Sequence, residues 1–176
     1  MVRCPECGKS LRARKGQTYR YLESGLDNVT LTGICVFHCA KCGLDFPEIP
    51  NIRGLHRSVA SLLARKPAPL TGAEFRFLRK EIELKATDLA RDLGITNVTI
   101  SRWETGARPI NPVADRLLRL LYSLHTVQKR RAVEPAKFVK SFLETMQRIV
   151  PSDQPAESLP IRVPVSTSSE LQEILT

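Results

Sequence analysis

Two short segments constrain this chain more than any others. Cys4-Pro5-Glu6-Cys7-Gly8 and Cys39-Ala40-Lys41-Cys42-Gly43 repeat one pattern, a C-x2-C pair closed by glycine, with 31 residues between the halves. Each half reads as a knuckle, in which two thiolates reach one ion while the glycine lets the backbone turn back beneath it. Four thiolates complete the tetrahedral shell of Zn²⁺ and leave no position open, so the expected site is structural and not catalytic. A disulfide pair conflicts with a reducing compartment, and a thioredoxin-like redox pair lacks its βαβ setting. Cys35 and His38 stand close to the second knuckle. Either can substitute as a ligand, or Cys35 is a small buried hydrophobe and His38 a residue at the solvent edge.

Between the knuckles, Gln17–Leu22 and Val29–Val36 are β-branched and aromatic and read as strands, with a turn through Ser24–Asn28. So small a domain buries too little apolar surface to be stable alone, so the metal is expected to supply much of its folding energy.

A second feature lies in Ala86–Ile95 and Thr96–Gly106, which read as two short helices joined by a tight turn. Leu89 and Leu93 form an apolar stripe on the first helix, and Ile100 and Trp103 on the second. Ala90 is small where the helices cross, and Gly94 suits a turn that needs positive φ. Thr96 is placed to cap the second helix and Gly106 to end it. The outer face keeps Asn97, Val98, Thr99, Ser101 and Arg102, which are donors, acceptors and methyl groups of the kind that read a major groove. An unrelated helical hairpin is the competing reading.

Charge sharpens this. The formal net charge of +9 is uneven: +2 over residues 1–50, +4 over 51–70, +5 over 71–131 and −2 over 132–176. The excess gathers where a phosphate-binding face would need it. No apolar run approaches a membrane span and the N-terminus does not read as a signal peptide, so a cytoplasmic protein without a membrane partner is expected. At 176 residues with 6% aromatics, two small cores are more plausible than one large one.

The pattern Leu89-Ala90, Leu93-Gly94-Ile95, Thr99-Ile100-Ser101-Arg102-Trp103-Glu104 and Gly106 resembles the helix-turn-helix of the Cro/CI repressor family. That resemblance covers about a third of the chain, from near Leu70 to Leu124. It implies a bundle of about five helices with the second motif helix in the major groove. A narrower likeness joins both features. The Cys-Pro-x-Cys knuckle, the Thr18-Tyr19-Arg20-Tyr21 and Leu31-Thr32-Gly33-Ile34 strands, the second knuckle and the repressor-type motif together resemble the MqsA family of antitoxins, with its YgiT-type zinc finger. This implies an N-terminal domain that neutralises an mRNA-cleaving ribonuclease toxin, and a helix-turn-helix domain that dimerises and represses an operon. Toxin binding rests on the resemblance alone.

The expected fold is α+β: a small β-rich zinc domain with a trailing helix over 1–66, an all-α helix-turn-helix domain over 70–130, and a C-terminal helix with a mobile acidic tail over 131–176. The helix Asn51–Arg65 lines up Leu55, Val59, Leu62 and Leu63, and Lys66-Pro67-Ala68-Pro69 breaks it. Thr71-Gly72-Ala73-Glu74 reads as a capping box, stapled by Leu70 and Phe75. The helix it opens buries Phe75, Leu78 and Ile82, and shows Arg76, Arg79 and Lys80 to solvent. Asn111-Pro112 opens another helix, whose leucines 117, 118, 120, 121 and 124 exceed one inward stripe; the surplus forms a dimer face or more core. Residues 136–150 read as an amphipathic helix, and Ile161–Val165 as an edge strand.

In the repressor fold, the first, second and sixth residues of the recognition helix face base edges, here Asn97, Val98 and Arg102. Asn97 suits adenine, Arg102 guanine and Val98 a thymine methyl. The antitoxin family uses Asn at the second position and Arg at the sixth; this chain keeps Arg102 and has Val98 at the second. Thr99, Ser101 and Lys85 are expected at phosphates. The competing role for Arg102 is a salt bridge, and Trp103 reads as core. The function expected is a dimeric repressor and antitoxin with structural zinc, acting on a double-stranded operator palindrome; the alternative is a free-standing zinc-containing regulator without a toxin. An enzyme is not expected, because His38, His56 and His125 lie in separate segments with no paired nucleophile and base.

Overall fold

The structure is a computed structural model, and it describes residues 2–130, 140 and 156–165, the side chains of 127–130 excepted. The chain forms two compact units. One holds the described residues up to Val59 and those from Pro160 on, and the other runs from Ala60 to Leu159.

The first unit is a four-stranded sheet around β2 (Val29–His38). Val29 and Leu31, then Ile34 and Val36, are buried, two period-2 pairs set one residue out of phase where Gly33, at φ 73°, interrupts the strand. β1 (Arg12–Arg20) pairs with it antiparallel along most of its length. This strand begins five residues before the predicted one, inside the basic run Arg12-Ala13-Arg14-Lys15. That run has no strand propensity of its own, and the long free edge of β2 recruits it. Register shifts on either side of Gln17 mark a bulge, with Gly16 at φ 68°.

On the other side, β2 has two partners. β3 (Asp45–Glu48), which the sequence did not suggest, pairs antiparallel with Cys35–His38. β4 (Ile161–Pro164) pairs parallel with Val29–Thr32. The edge strand expected at Ile161–Val165 is therefore present, and it closes the sheet from the far end of the chain. The helix expected over 136–150 lies outside the described residues but for Lys140.

Helix α1 (Ile52–Arg65) follows, with Asn51 Oδ1 accepting from Gly54 N at 2.8 Å at its start. Leu55, Val59 and Leu63 are buried as predicted, but Leu62 is 44% exposed. Ala60 and Ala64 take the inner positions beside Leu63, since the stripe drifts along a 3.6-residue period.

The second unit contains α2 (Gly72–Glu81), α3 (Ala86–Asp92), α4 (Asn97–Glu104) and α5 (Pro112–Arg130). The capping box is formed: Glu74 N donates to Thr71 Oγ1 at 3.3 Å, and Thr71 N to Glu74 Oε2 at 2.8 Å. The core gathers Leu70, Phe75, Leu78, Leu89, Ala90, Ile100, Trp103 and Leu118. Phe75 and Trp103 meet edge to face with centroids 6.0 Å apart, the arrangement favoured by aromatic quadrupoles. Gly72 is needed here, because a Cβ on it would press into the carbonyl oxygens of Trp103 and Glu104.

Two arginines of this unit are buried. Arg79, predicted to face solvent, is buried at 8% exposure. Arg119 is fully buried, and its guanidinium is the hub of the break after α1. It donates to Asp115 Oδ1 at 2.6 Å, Lys66 O at 2.6 Å and Ala68 O at 2.8 Å. Asp115 in turn accepts from Leu70 N at 3.0 Å. A buried charge survives only when so completely paired.

Candidate functional site

The two knuckles fold alike. In the first, Cys4 N donates to Lys9 O at 2.8 Å and Gly8 N to Cys4 O at 2.9 Å; in the second, Cys39 N donates to Leu44 O at 2.9 Å and Gly43 N to Cys39 O at 2.8 Å. Gly8 and Gly43 hold φ of 71° and 72°, open to glycine at little cost, which explains why both halves carry it. The hairpin of β1 and β2 spans the interval between the knuckles and returns the second to the first.

The four Sγ atoms of Cys4, Cys7, Cys39 and Cys42 lie within 4.8 Å of one another, with Cys7 and Cys39 at 3.6 Å. Tetrahedral zinc with Zn–S near 2.3 Å would space its sulfurs about 3.8 Å apart, so the donor set fits that ion. Cys4 and Cys39 are buried. The Cys42 amide, donating to Cys39 Sγ at 3.4 Å, holds that thiol down at about 6. A hydrogen bond to Cys7 and burial hold Cys42 up at about 12. One thiolate is thus favoured without a cation, while burial opposes ionising Cys4, and the bond to Cys7 with burial opposes it at Cys42; a divalent ion removes that resistance.

Cys35 and His38 are outside the cluster. Burial and a hydrogen bond to Glu48 push the Cys35 thiol up. His38 Nδ1 is 2.8 Å from Asp45 Oδ1 across the β2–β3 pair.

In the second unit, α3 and α4 are joined by a turn with Gly94 at φ 65°. Thr96 caps α4: Thr99 N donates to Thr96 Oγ1 at 3.3 Å, and the two threonine hydroxyls are 3.0 Å apart. Ile100 and Trp103 face inward, and Asn97, Val98, Ser101 and Arg102 face out, Val98 at 57% exposure. Lys85 is exposed at the N-cap of α3.

The carboxylate closest in sequence to Arg102 is Glu104, which is already engaged. Arg79 Nε donates to Glu104 Oε1 at 2.6 Å, and Arg76 Nε lies 3.8 Å from Oε2. Among the described residues no ion pair reaches Arg102. The Arg79–Glu104 pair was not foreseen, although a basic residue late in α2 and an acidic one at the end of α4 are a visible complementary pair. Arg108 was also missed. Its amide donates to Arg102 O at 3.1 Å, and its exposed side chain is held just beyond the end of α4.

A family model described as a helix-turn-helix domain matches residues 71–131. No curated protein and no solved structure matches the chain. With the geometry of α3 and α4, this match supports a helix-turn-helix DNA-binding domain over residues 71–131, and the β-rich part before it carries four cysteines that suit zinc. Among the described residues no helix is long and apolar enough to cross a membrane.

Proposed function

We propose that the chain is a zinc-containing transcriptional repressor that binds a double-stranded operator palindrome as a homodimer, and that it serves as the antitoxin of a toxin-antitoxin pair. The observation that carries the DNA half is the outer face of α4. There Asn97, Val98 and Arg102 are exposed side by side on a capped helix, and among the described residues no ion pair reaches Arg102. Arg102 reads a guanine edge, Asn97 an adenine and Val98 a thymine methyl. Ser101, Thr99 and Lys85 meet phosphates. Zinc holds the N-terminal module together and takes no part in chemistry. One short recognition helix reads too few bases for useful specificity, hence the dimer.

The antitoxin half rests on resemblance to the MqsA family: the N-terminal module would hold a ribonuclease toxin. The alternative, a free-standing regulator, uses the same residues. Footprinting on the DNA upstream of the chain's own coding region tests the first half. Two protected half-sites about 10 base pairs apart, or a multiple of that, are expected; one half-site held by a monomer overturns the dimer. Co-purification from the native host tests the second half. A stoichiometric ribonuclease supports the antitoxin reading, and its absence leaves the free-standing regulator.

A further inference from the structure

The two knuckles match in their backbone bonds. Cys4 N to Lys9 O corresponds to Cys39 N to Leu44 O, so the residues flanking each turn correspond too, Arg3 with Ser10 and His38 with Asp45. Both flanking pairs are bridged antiparallel, the first as an isolated bridge and the second as the rung of the β2–β3 ladder closest to the cysteines. Their side chains differ. His38 Nδ1 lies 2.8 Å from Asp45 Oδ1, whereas among the described residues no side-chain bond joins Arg3 to Ser10. A carboxylate can only accept, so Nδ1 carries the hydrogen and donates, whether the ring is neutral or charged.

The bond supports a short stretch of ladder. β3 has four residues, and Pro47, paired with Val36, has no N–H to offer. Next to His38 is the buried Cys39, whose amide donates to Leu44 O at 2.9 Å. Fraying at the His38–Asp45 rung therefore loosens Leu44, and with it the turn that brings Cys39 and Cys42 together. A knuckle already closed in the metal-free chain has less order to lose on binding, so it holds an ion more tightly.

We propose that His38 and Asp45 are positioning residues for the metal: their bond closes the base of the second knuckle and slows the release of zinc, although neither side chain is a ligand. The first knuckle, equivalent in backbone, has no such bond and opens more readily. The proposal rests on the zinc reading of the four cysteines. The side chains are 21% and 48% exposed, which sets the expected effect at a few-fold.

The test uses the full chain, with zinc affinity and release rate read by competition with a chromophoric chelator. His38→Ala and Asp45→Ala should each weaken zinc roughly threefold to fivefold and speed its release by a similar factor. The double variant should lose little more than either single one, because the two changes remove one bond. His38→Asn, which keeps a donor in the place of Nδ1, should recover most of the loss. Arg3→Ala and Ser10→Ala, at the equivalent positions of the first knuckle, should stay within about twofold of the unaltered chain. At saturating Co²⁺ every variant should show the absorption bands of a four-thiolate shell. Unchanged affinity and release in both single variants overturn the proposal, and so do losses that add in the double variant. Cobalt bands that change in His38→Ala make His38 a ligand and overturn it as well. An unaltered chain that binds no zinc instead overturns the zinc reading beneath it.

Discussion

Arg79 Nε and Glu104 Oε1 are 2.6 Å apart, and each side chain is only 9% exposed, so the end of the recognition helix is tied to α2 by a nearly dry ion pair. The same guanidinium donates through Nη1 to Leu84 O at 2.6 Å, which fixes the turn into α3. One arginine thereby positions both helices of the DNA-binding motif. Its burial also consumes the carboxylate that lies closest in sequence to Arg102.

Breaking that pair from one side should be costly. Glu104→Ala strands a buried guanidinium, and a loss of about 3–5 kcal/mol is expected in urea unfolding. Replacing both partners, as Arg79→Met/Glu104→Leu, should cost clearly less than the sum of the single substitutions. Additive losses in a double-mutant cycle would mean that the pair contributes nothing as a pair.

Two backbone positions in the same unit should respond in opposite directions. A Cβ at Gly72 would stand 2.8 Å from Glu104 O and closer still to Trp103 O, both backbone atoms that cannot swing aside. Gly72→Ala should destabilise by about 1–3 kcal/mol, the usual cost of overpacking. Glu83 sits at φ 57° as a non-glycine residue. Glu83→Gly removes that strain and should stabilise by up to about 1 kcal/mol, partly offset by the added freedom of the unfolded chain. Thermal melts of the two variants on either side of the unaltered chain check both signs.

The metal should be a condition of the first unit alone. Cys4→Ser or a strong chelator should remove zinc and melt the sheet, while the helices of the second unit keep their cooperative transition. Structural zinc contributes roughly 10–16 kcal/mol to small metal domains, more than a sheet of this size can lose. Metal analysis of Cys4→Ser that finds one zinc retained per chain would show that the four cysteines are not the shell.

What could be read without coordinates follows the range of the interactions involved. The knuckles, the capping box at Thr71 and Glu74, and the apolar pairs Val29/Leu31 and Ile34/Val36 are local patterns. Each appears in the structure where its residues stand. Arg79 misled because a lone arginine reads as solvent-facing, and nothing local to Arg119 marks it as buried. Their burial is decided by Glu104, 25 residues away, and by carbonyls at residues 66 and 68, more than 50 residues away. The start of β1 at Arg12 has the same origin: the free edge of β2 extended a strand into residues that would not form one alone. β3 escaped notice because Asp45-Phe46-Pro47-Glu48 has neither the length nor the alternation of a strand and exists through its register with Cys35–His38.

The DNA reading makes its sharpest demand on two cations that should fail differently. Arg102 is exposed on α4, with its backbone carbonyl pinned by Arg108 N at 3.1 Å, so its guanidinium is presented from a fixed point. If it forks onto one guanine, Arg102→Ala should cost about 1–3 kcal/mol on the cognate site and flatten the preference at one base pair. Lys85 is exposed at the N-cap of α3, with φ −71° and ψ 148°, outside the helix that reads bases. Lys85→Ala should weaken cognate and scrambled duplexes alike and lower the slope of log affinity against log salt by about one unit. Titrations of both variants against both duplexes at several salt concentrations separate the roles. An Arg102→Ala chain that loses equally on operator and scrambled DNA makes the arginine a phosphate clamp. The sequence preference would then have to come from Asn97 and Val98.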